Sequence, residues 1–90
     1  MARTRHVTLT ADEVETVELG INAARIEVLN RDGAAAVWFT TNDDDPTVGG
    51  NNTYVLPAAI GAVEVPDEVK GPSVVKLISS GTPAVSVRAL

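Results

Sequence analysis

The chain has 90 residues, a formal net charge of −5 at pH 7 and no cysteine. This length predicts one domain with a single thin core, and the lack of cysteines excludes disulfides and thiolate metal sites. Twelve acidic residues against seven basic ones argue against nucleic-acid binding, which needs a positive field facing the phosphates. The same balance argues against binding to an anionic membrane surface.

The amino terminus is basic, with Arg3, Arg5 and His6, but no apolar segment of the signal-peptide type follows it. We therefore expect synthesis and folding in a reducing cytoplasm. Residues 1–5 are predicted to form a short flexible arm of a single β-domain that covers 1–90. The simpler interpretation of His6 is an exposed residue, and a second one is that these three residues pair with an acidic partner surface.

Turn residues interrupt Val- and Thr-rich segments at intervals of about 8–12 residues, which is typical of a β-sandwich or barrel. Apolar side chains alternate within these segments, so every second residue faces a core. The predicted strands are residues 5–10, 14–19, 24–30, 35–40, 54–56, 60–65, 73–79 and 84–90. Such short links favour antiparallel pairing. We predict an all-β, antiparallel β-sandwich of about eight short strands, with a jelly roll as one form of it and a small β-barrel as the alternative.

Residues 11–21 admit two interpretations. The segment from Thr10 to Glu13 resembles a helix capping box, and Val14 and Val17 follow helical spacing. The valine and threonine content and Gly20 oppose a helix. We predict a turn followed by a strand.

Asn30-Arg31-Asp32-Gly33 separates two predicted strands. An Asp-Gly pair supplies the positive φ angles of a tight turn, so the sequence predicts a β-hairpin that pairs 24–30 with 35–40. In the second strand Val37 and Phe39 share one face and Trp38 takes the other. We expect Trp38 to pack in the core against the second sheet. An exposed Trp38 would instead mark an interface or a sugar-stacking platform.

Residues 42–52 form a long polar loop that contains Asp43-Asp44-Asp45. Adjacent carboxylates lack the alternating spacing of calcium loops, so a solvated acidic loop is the simpler interpretation. His6 has no cysteine partner and no serine motif that would indicate catalysis. We expect no catalytic residue, no cofactor and no metal site.

Four segments carry a resemblance to a known group of proteins. They are Arg25–Gly33 (RIEVLNRDG), Val37–Thr41 (VWFTT), Pro46–Ala58 (PTVGGNNTYVLPA) and Val74–Gly81 (VVKLISSG). Together they resemble small structural proteins of tailed bacteriophages that infect actinobacteria. The resemblance covers most of the chain and implies a β-rich component of the virion.

The resemblance implies a non-enzymatic capsid decoration or minor capsid protein. Such a protein binds the assembled major capsid protein on the outer surface, in symmetric clusters whose many weak contacts add up. A small tail or head–tail protein is the alternative, and a carbohydrate-binding module is a further one. The candidate partner interface consists of Arg3, Arg5, His6, Trp38 and Tyr54.

Overall fold

The computed structural model describes residues 4–51, 53–68 and 71–90. In these residues the backbone forms eight β-strands. They are β1 (Thr4–Thr8), β2 (Glu15–Glu18), β3 (Arg25–Asn30), β4 (Val37–Thr40), β5 (Tyr54–Leu56), β6 (Gly61–Pro66), β7 (Val74–Ile78) and β8 (Ala84–Ala89). Each predicted strand is found, with both ends within two residues of the prediction.

Near the amino terminus the structure corrects one prediction and confirms another. Thr4 and Arg5, expected in a flexible arm, belong to β1 and pair with β8. The rest of the predicted arm, residues 1–3, lies outside the described residues. Residues 11–21 contain a turn followed by β2, so the strand interpretation of this region is confirmed and the helix is not formed.

The strands form two four-stranded sheets, which we call sheet I (β1-β8-β3-β6) and sheet II (β2-β7-β4-β5). All neighbouring strands are antiparallel. The consecutive strands β4 and β5 pair with each other, whereas the other consecutive strands lie in opposite sheets. This strand order is that of a jelly roll, so the predicted antiparallel sandwich is confirmed.

The core lies between the two sheets and follows the predicted alternation. Val85 and Val87 of sheet I and Val37 and Phe39 of sheet II are fully buried. The Phe39 ring lies 5.4 Å from the ring of Tyr54. Each of these apolar side chains contributes about 1.5–3 kcal/mol by leaving water, so a core nearly free of aromatic residues still holds the sheets together.

The predicted hairpin is wrong, because β3 and β4 lie in different sheets. The turn at Asn30–Gly33 does form, with Gly33 at a φ of +65°, but it carries the chain from sheet I to sheet II. The buried Asn30 side chain holds this corner. Its Nδ2 donates to the carbonyl oxygens of Ala35 (2.9 Å) and Pro57 (3.2 Å), and its Oδ1 accepts from the Gly33 N–H (3.1 Å).

Candidate functional site

The structure separates the residues that the sequence grouped into one interface. Arg5 and His6 lie on β1, an edge strand of sheet I, whereas Trp38 and Tyr54 lie on β4 and β5 of sheet II. Arg3 lies outside the described residues. The predicted interface therefore becomes two regions, one on each sheet.

An apolar row crosses the outer face of sheet II. Trp38 pairs with Ile78 of β7 on one side and with Val55 of β5 on the other. Val14, directly before β2, continues the β2–β7 register opposite Ile78. Val14 and Val55 are 38% and 45% exposed, and Trp38 is half-buried. The expected core position of Trp38 is therefore wrong, since its side chain lies on the outside of the sandwich.

This row is unusual for the solvent side of an antiparallel sheet, where polar residues normally alternate with inward-facing apolar ones. Sequence reasoning identified Trp38 but missed Val14, Val55 and Ile78. Each of these three residues belongs to a different predicted strand. The row becomes visible only when the strand register places the four residues side by side across sheet II.

A polar depression of about 390 Å³ lies where β4 ends and the polar loop begins. The residues that line it are Thr40, Thr41, Asn42, Asp44, Asn51, Thr53, Tyr54 and Glu68. The Tyr54 hydroxyl donates to Glu68 Oε1 over 2.7 Å. This bond raises the pKa of Tyr54, because it stabilises the protonated phenol beside a carboxylate. The hydroxyl, amide and carboxylate groups of the depression can hydrogen-bond a polar ligand.

Lys76 pairs with two of the three carboxylates of the acidic loop. Its Nζ lies 3.2 Å from Asp45 Oδ1 and 3.3 Å from Asp43 Oδ1, and it donates to the Asp43 carbonyl oxygen over 3.1 Å. The hydrogen bond to Asp45, followed by that to Asp43, raises the pKa of Lys76. These carboxylates thus face an ammonium group. In residues 4–51, 53–68 and 71–90, no three histidine or acidic side chains are close enough to hold a metal ion.

The second region is the side of the sandwich where β1 and β2 lie next to each other. His6 Nδ1 and Ser86 Oγ share a hydrogen bond of 2.6 Å, which fixes the imidazole ring on the outer face of sheet I. A groove of about 180 Å³ separates the two strands. The residues that line it are Arg5, His6, Val7, Glu15, Thr16, Val17 and Glu18. Basic residues of β1 and acidic residues of β2 therefore line the same groove.

No family model matches this chain, and no curated protein matches its sequence. Solved structures do match in fold. A de novo designed double-stranded β-helix, solved by NMR, has a TM-score of 0.61 at 18% identity and covers 99% of this chain and 100% of its own. PirA has a TM-score of 0.64 at 10% identity, over 100% of this chain and 95% of PirA.

Part of a larger enzyme also has this fold. The family GH115 4-O-methyl-α-glucuronidase BtGH115A matches 96% of this chain with 14% of its own length, at a TM-score of 0.56 and 10% identity. At such identities the similarities show the fold alone. In the part of the chain that the structure describes, no helix is long and apolar enough to cross a membrane.

Proposed function

We propose that this chain is a non-enzymatic structural protein of a bacteriophage virion. In this role it is a capsid decoration or minor capsid protein that binds the assembled major capsid protein and stabilises the shell. The observation that carries the proposal is the apolar row on the outer face of sheet II. A tryptophan flanked by aliphatic residues and rimmed by polar ones is the composition of a protein–protein contact surface.

The fold and the sequence resemblance add support. Eight-stranded jelly rolls recur in viral capsids and in lectins. The fold as a whole is therefore compatible with a capsid role, by analogy. The resemblance to structural proteins of actinobacterial phages covers most of the chain and includes the Val37–Thr41 segment that contains Trp38. A net charge of −5 suits a position on the outside of the shell, away from the packaged DNA.

The location can be tested by counting copies of the chain in purified virions by quantitative mass spectrometry. A copy number that matches the capsid lattice supports the decoration role. A number that matches the tail or neck supports the alternative of a small tail or head–tail protein and contradicts the capsid role. Absence from virions contradicts both.

The docking surface can be tested on shells that lack the protein. Wild-type protein added back is expected to raise the temperature at which these shells disassemble. Val55→Asp, which places a charge in the apolar row, is expected to bind weakly and to leave the shells unprotected. The matched control is Ala62→Asp on the outer face of β6, which adds the same charge to sheet I and should protect like the wild type. Equal protection by both variants would exclude the apolar row as the docking surface.

The polar depression beside Tyr54 favours a second candidate function, a carbohydrate-binding module. Sugars bind through hydrogen bonds to such hydroxyl, amide and carboxylate groups, together with stacking on an aromatic ring. Host-wall glycans titrated into the labelled protein should then shift the NMR signals of Asn51 and Thr53, and Tyr54→Ala should abolish the shifts. Unchanged spectra with the wild type would remove this candidate.

A further inference from the structure

The sandwich has one side on which two edge strands lie next to each other. Among the described residues, β1 is an edge of sheet I and β2 is an edge of sheet II, and the two line a common groove. We call this the open side. Edge strands present backbone N–H and C=O groups that can pair with a further strand.

The free edge of β1 can be identified from its pairing with β8. The Leu9 N–H donates to the Pro83 carbonyl oxygen over 3.0 Å. Backbone groups alternate in direction along an antiparallel strand. The N–H and C=O groups of Thr4, His6 and Thr8 therefore point away from β8, towards the open side.

The same reasoning applies to β2. The Leu19 N–H donates to the Ser73 carbonyl oxygen over 3.0 Å. The alternate residues Thr16 and Glu18 therefore direct their backbone groups away from β7. Both strands thus offer unpaired ladder positions on one side of the molecule.

The two edges carry opposite charges. β1 contains Arg5 and His6 and has no acidic residue, whereas β2 contains Glu15 and Glu18 and has no basic one. All four side chains are exposed. The open side therefore joins a basic edge to an acidic edge within one surface.

We infer that the open side is an interface between two copies of this chain, in which β1 of each copy pairs with β2 of the other. A two-fold axis parallel to the strands produces this arrangement. It joins sheet I of one copy to sheet II of the other, so two continuous eight-stranded sheets, four strands from each copy, run through the dimer. Such an interface is closed and self-complementary.

The strand directions fit this pairing. Leu9 and Asp12, in the link from β1 to β2, donate their N–H groups to the Pro83 and Ser79 carbonyl oxygens in the link from β7 to β8. Both links therefore lie at the same end of the sandwich, so β1 ends where β2 begins and the two strands run in opposite senses. Pairing of β1 with β2 of the other copy is then antiparallel. Rotation about an axis parallel to the strands does not shift residues along that axis. Arg5 and His6 therefore lie at the same height as Glu15–Glu18 of the other copy, as they do across the groove within one copy.

Charge selects this axis over its alternative. A two-fold axis perpendicular to the sheets would pair β2 with β2 of the second copy and bring Glu15 and Glu18 against their own equivalents. Like charges opposite each other destabilise a strand pair, and opposite charges stabilise it. The axis parallel to the strands gives each acidic edge a basic partner.

The two edges on the other side of the sandwich are poorer partners. β5 has three residues and is followed by Pro57. β6 ends at Pro66, and its Glu64 forms an ion pair with Arg25 of the neighbouring β3. Proline is a usual protection of edge strands against pairing. β1 and β2 contain no proline, which agrees with a role in pairing.

Sedimentation equilibrium of the full chain over a range of concentrations tests the dimer. The mass is expected to approach two chains of 9.4 kDa each, and salt should weaken the association because it screens the exposed charges. A mass of one chain at every concentration overturns the inference, as does a limiting mass of three or more chains. The dimer does not depend on the proposed virion role, and failure of shell binding would leave this result intact.

A charge exchange tests the pairing of β1 with β2. Arg5→Glu alone, and Glu15→Lys with Glu18→Lys, should each raise the dissociation constant about tenfold or more, and the triple variant should restore the dimer. Glu64→Lys on β6 is the matched control and should dimerise like the wild type. A triple variant that stays monomeric while retaining the wild-type circular dichroism spectrum would overturn the pairing.

Backbone pairing has its own test. Thr16→Pro removes an N–H that points to the open side, so it breaks no ladder bond within the chain. We expect a folded monomer, with the fold checked by circular dichroism and thermal melting. A Thr16→Pro variant that dimerises with the wild-type dissociation constant would show that side chains alone join the copies and would overturn the continuous sheets.

Discussion

The carboxylate of Asp32 accepts a hydrogen bond of 3.0 Å from the backbone N–H of Ala84, 52 positions later in the chain. Its other oxygen accepts from the Ala34 N–H over 3.1 Å. These bonds, that from Ala34 first, lower the pKa of Asp32, because amide donors stabilise the ionised form. A single side chain thus ties the corner between the sheets to the start of β8.

This relationship predicts a pH dependence of stability. The pKa of Asp32 is lower in the folded chain than its unfolded value near 3.8. Ionised Asp32 therefore stabilises the fold above that value, and the contribution is lost as the pH falls through the folded-state pKa. Asp32→Asn should lower the free energy of unfolding at neutral pH and flatten its decline at acidic pH, as measured by urea unfolding at a series of pH values. Asp44→Asn, at an exposed acid, is the control, and an unchanged acid slope in Asp32→Asn would contradict the prediction.

The structure requires two things of the residue at position 33: a positive φ angle and the absence of a Cβ atom. Its φ is +65°, and an added Cβ would lie 2.8 Å from the Ile60 backbone nitrogen. Gly49 has a φ of +76° but open space around it. Gly49→Ala should therefore cost about 1–2 kcal/mol for the left-handed conformation, and Gly33→Ala about 1–3 kcal/mol more for the clash. Equal losses in urea unfolding would show that the chain at Ile60 moves away freely.

The sequence predicts the strands well, because alternation is a local property. Val37 and Phe39, or Val85 and Val87, need only their own neighbours to indicate which face is buried. Strand pairing depends on distant residues. Asp32-Gly33 has the local chemistry of a hairpin turn, but the contacts of Asn30 with Pro57 and of Asp32 with Ala84 direct the chain across to the other sheet.

The candidate site was harder to predict from the sequence, because it also depends on how the strands pair. The aromatic and basic residues could be identified singly, but their grouping needed the strand order. The apolar row needs the register of four strands, and the opposite charges of β1 and β2 become one surface only because the fold places those strands side by side. The acidic loop could be recognised in the sequence, but its partner Lys76 lies about thirty positions later.

The two faces of sheet II should respond differently to the loss of side-chain volume. Leu77 is fully buried between the sheets, whereas Val55 is 45% exposed on the outer face. Leu77→Ala should reduce the free energy of unfolding by about 2–5 kcal/mol, since it leaves a cavity in the core, and Val55→Ala should change it by about 0.5 kcal/mol or less. Urea unfolding of both variants measures the difference, and similar losses would mean that the outer face carries part of the core packing.

The bond between Tyr54 and Glu68 can be measured directly, because Tyr54 is the only tyrosine in the chain. Its phenolate absorbance should titrate with a pKa above the ordinary value of 10.0, since ionisation breaks the hydrogen bond and sets two negative charges side by side. Because the folded-state pKa is raised, this bond stabilises the fold below pH 10.0 and is lost as the pH rises through the folded-state value. Glu68→Gln should bring the pKa down towards 10.0, while Glu64→Gln on β6 should leave it unchanged. A wild-type titration that coincides with that of Glu68→Gln would mean that the carboxylate does not hold the hydroxyl in solution.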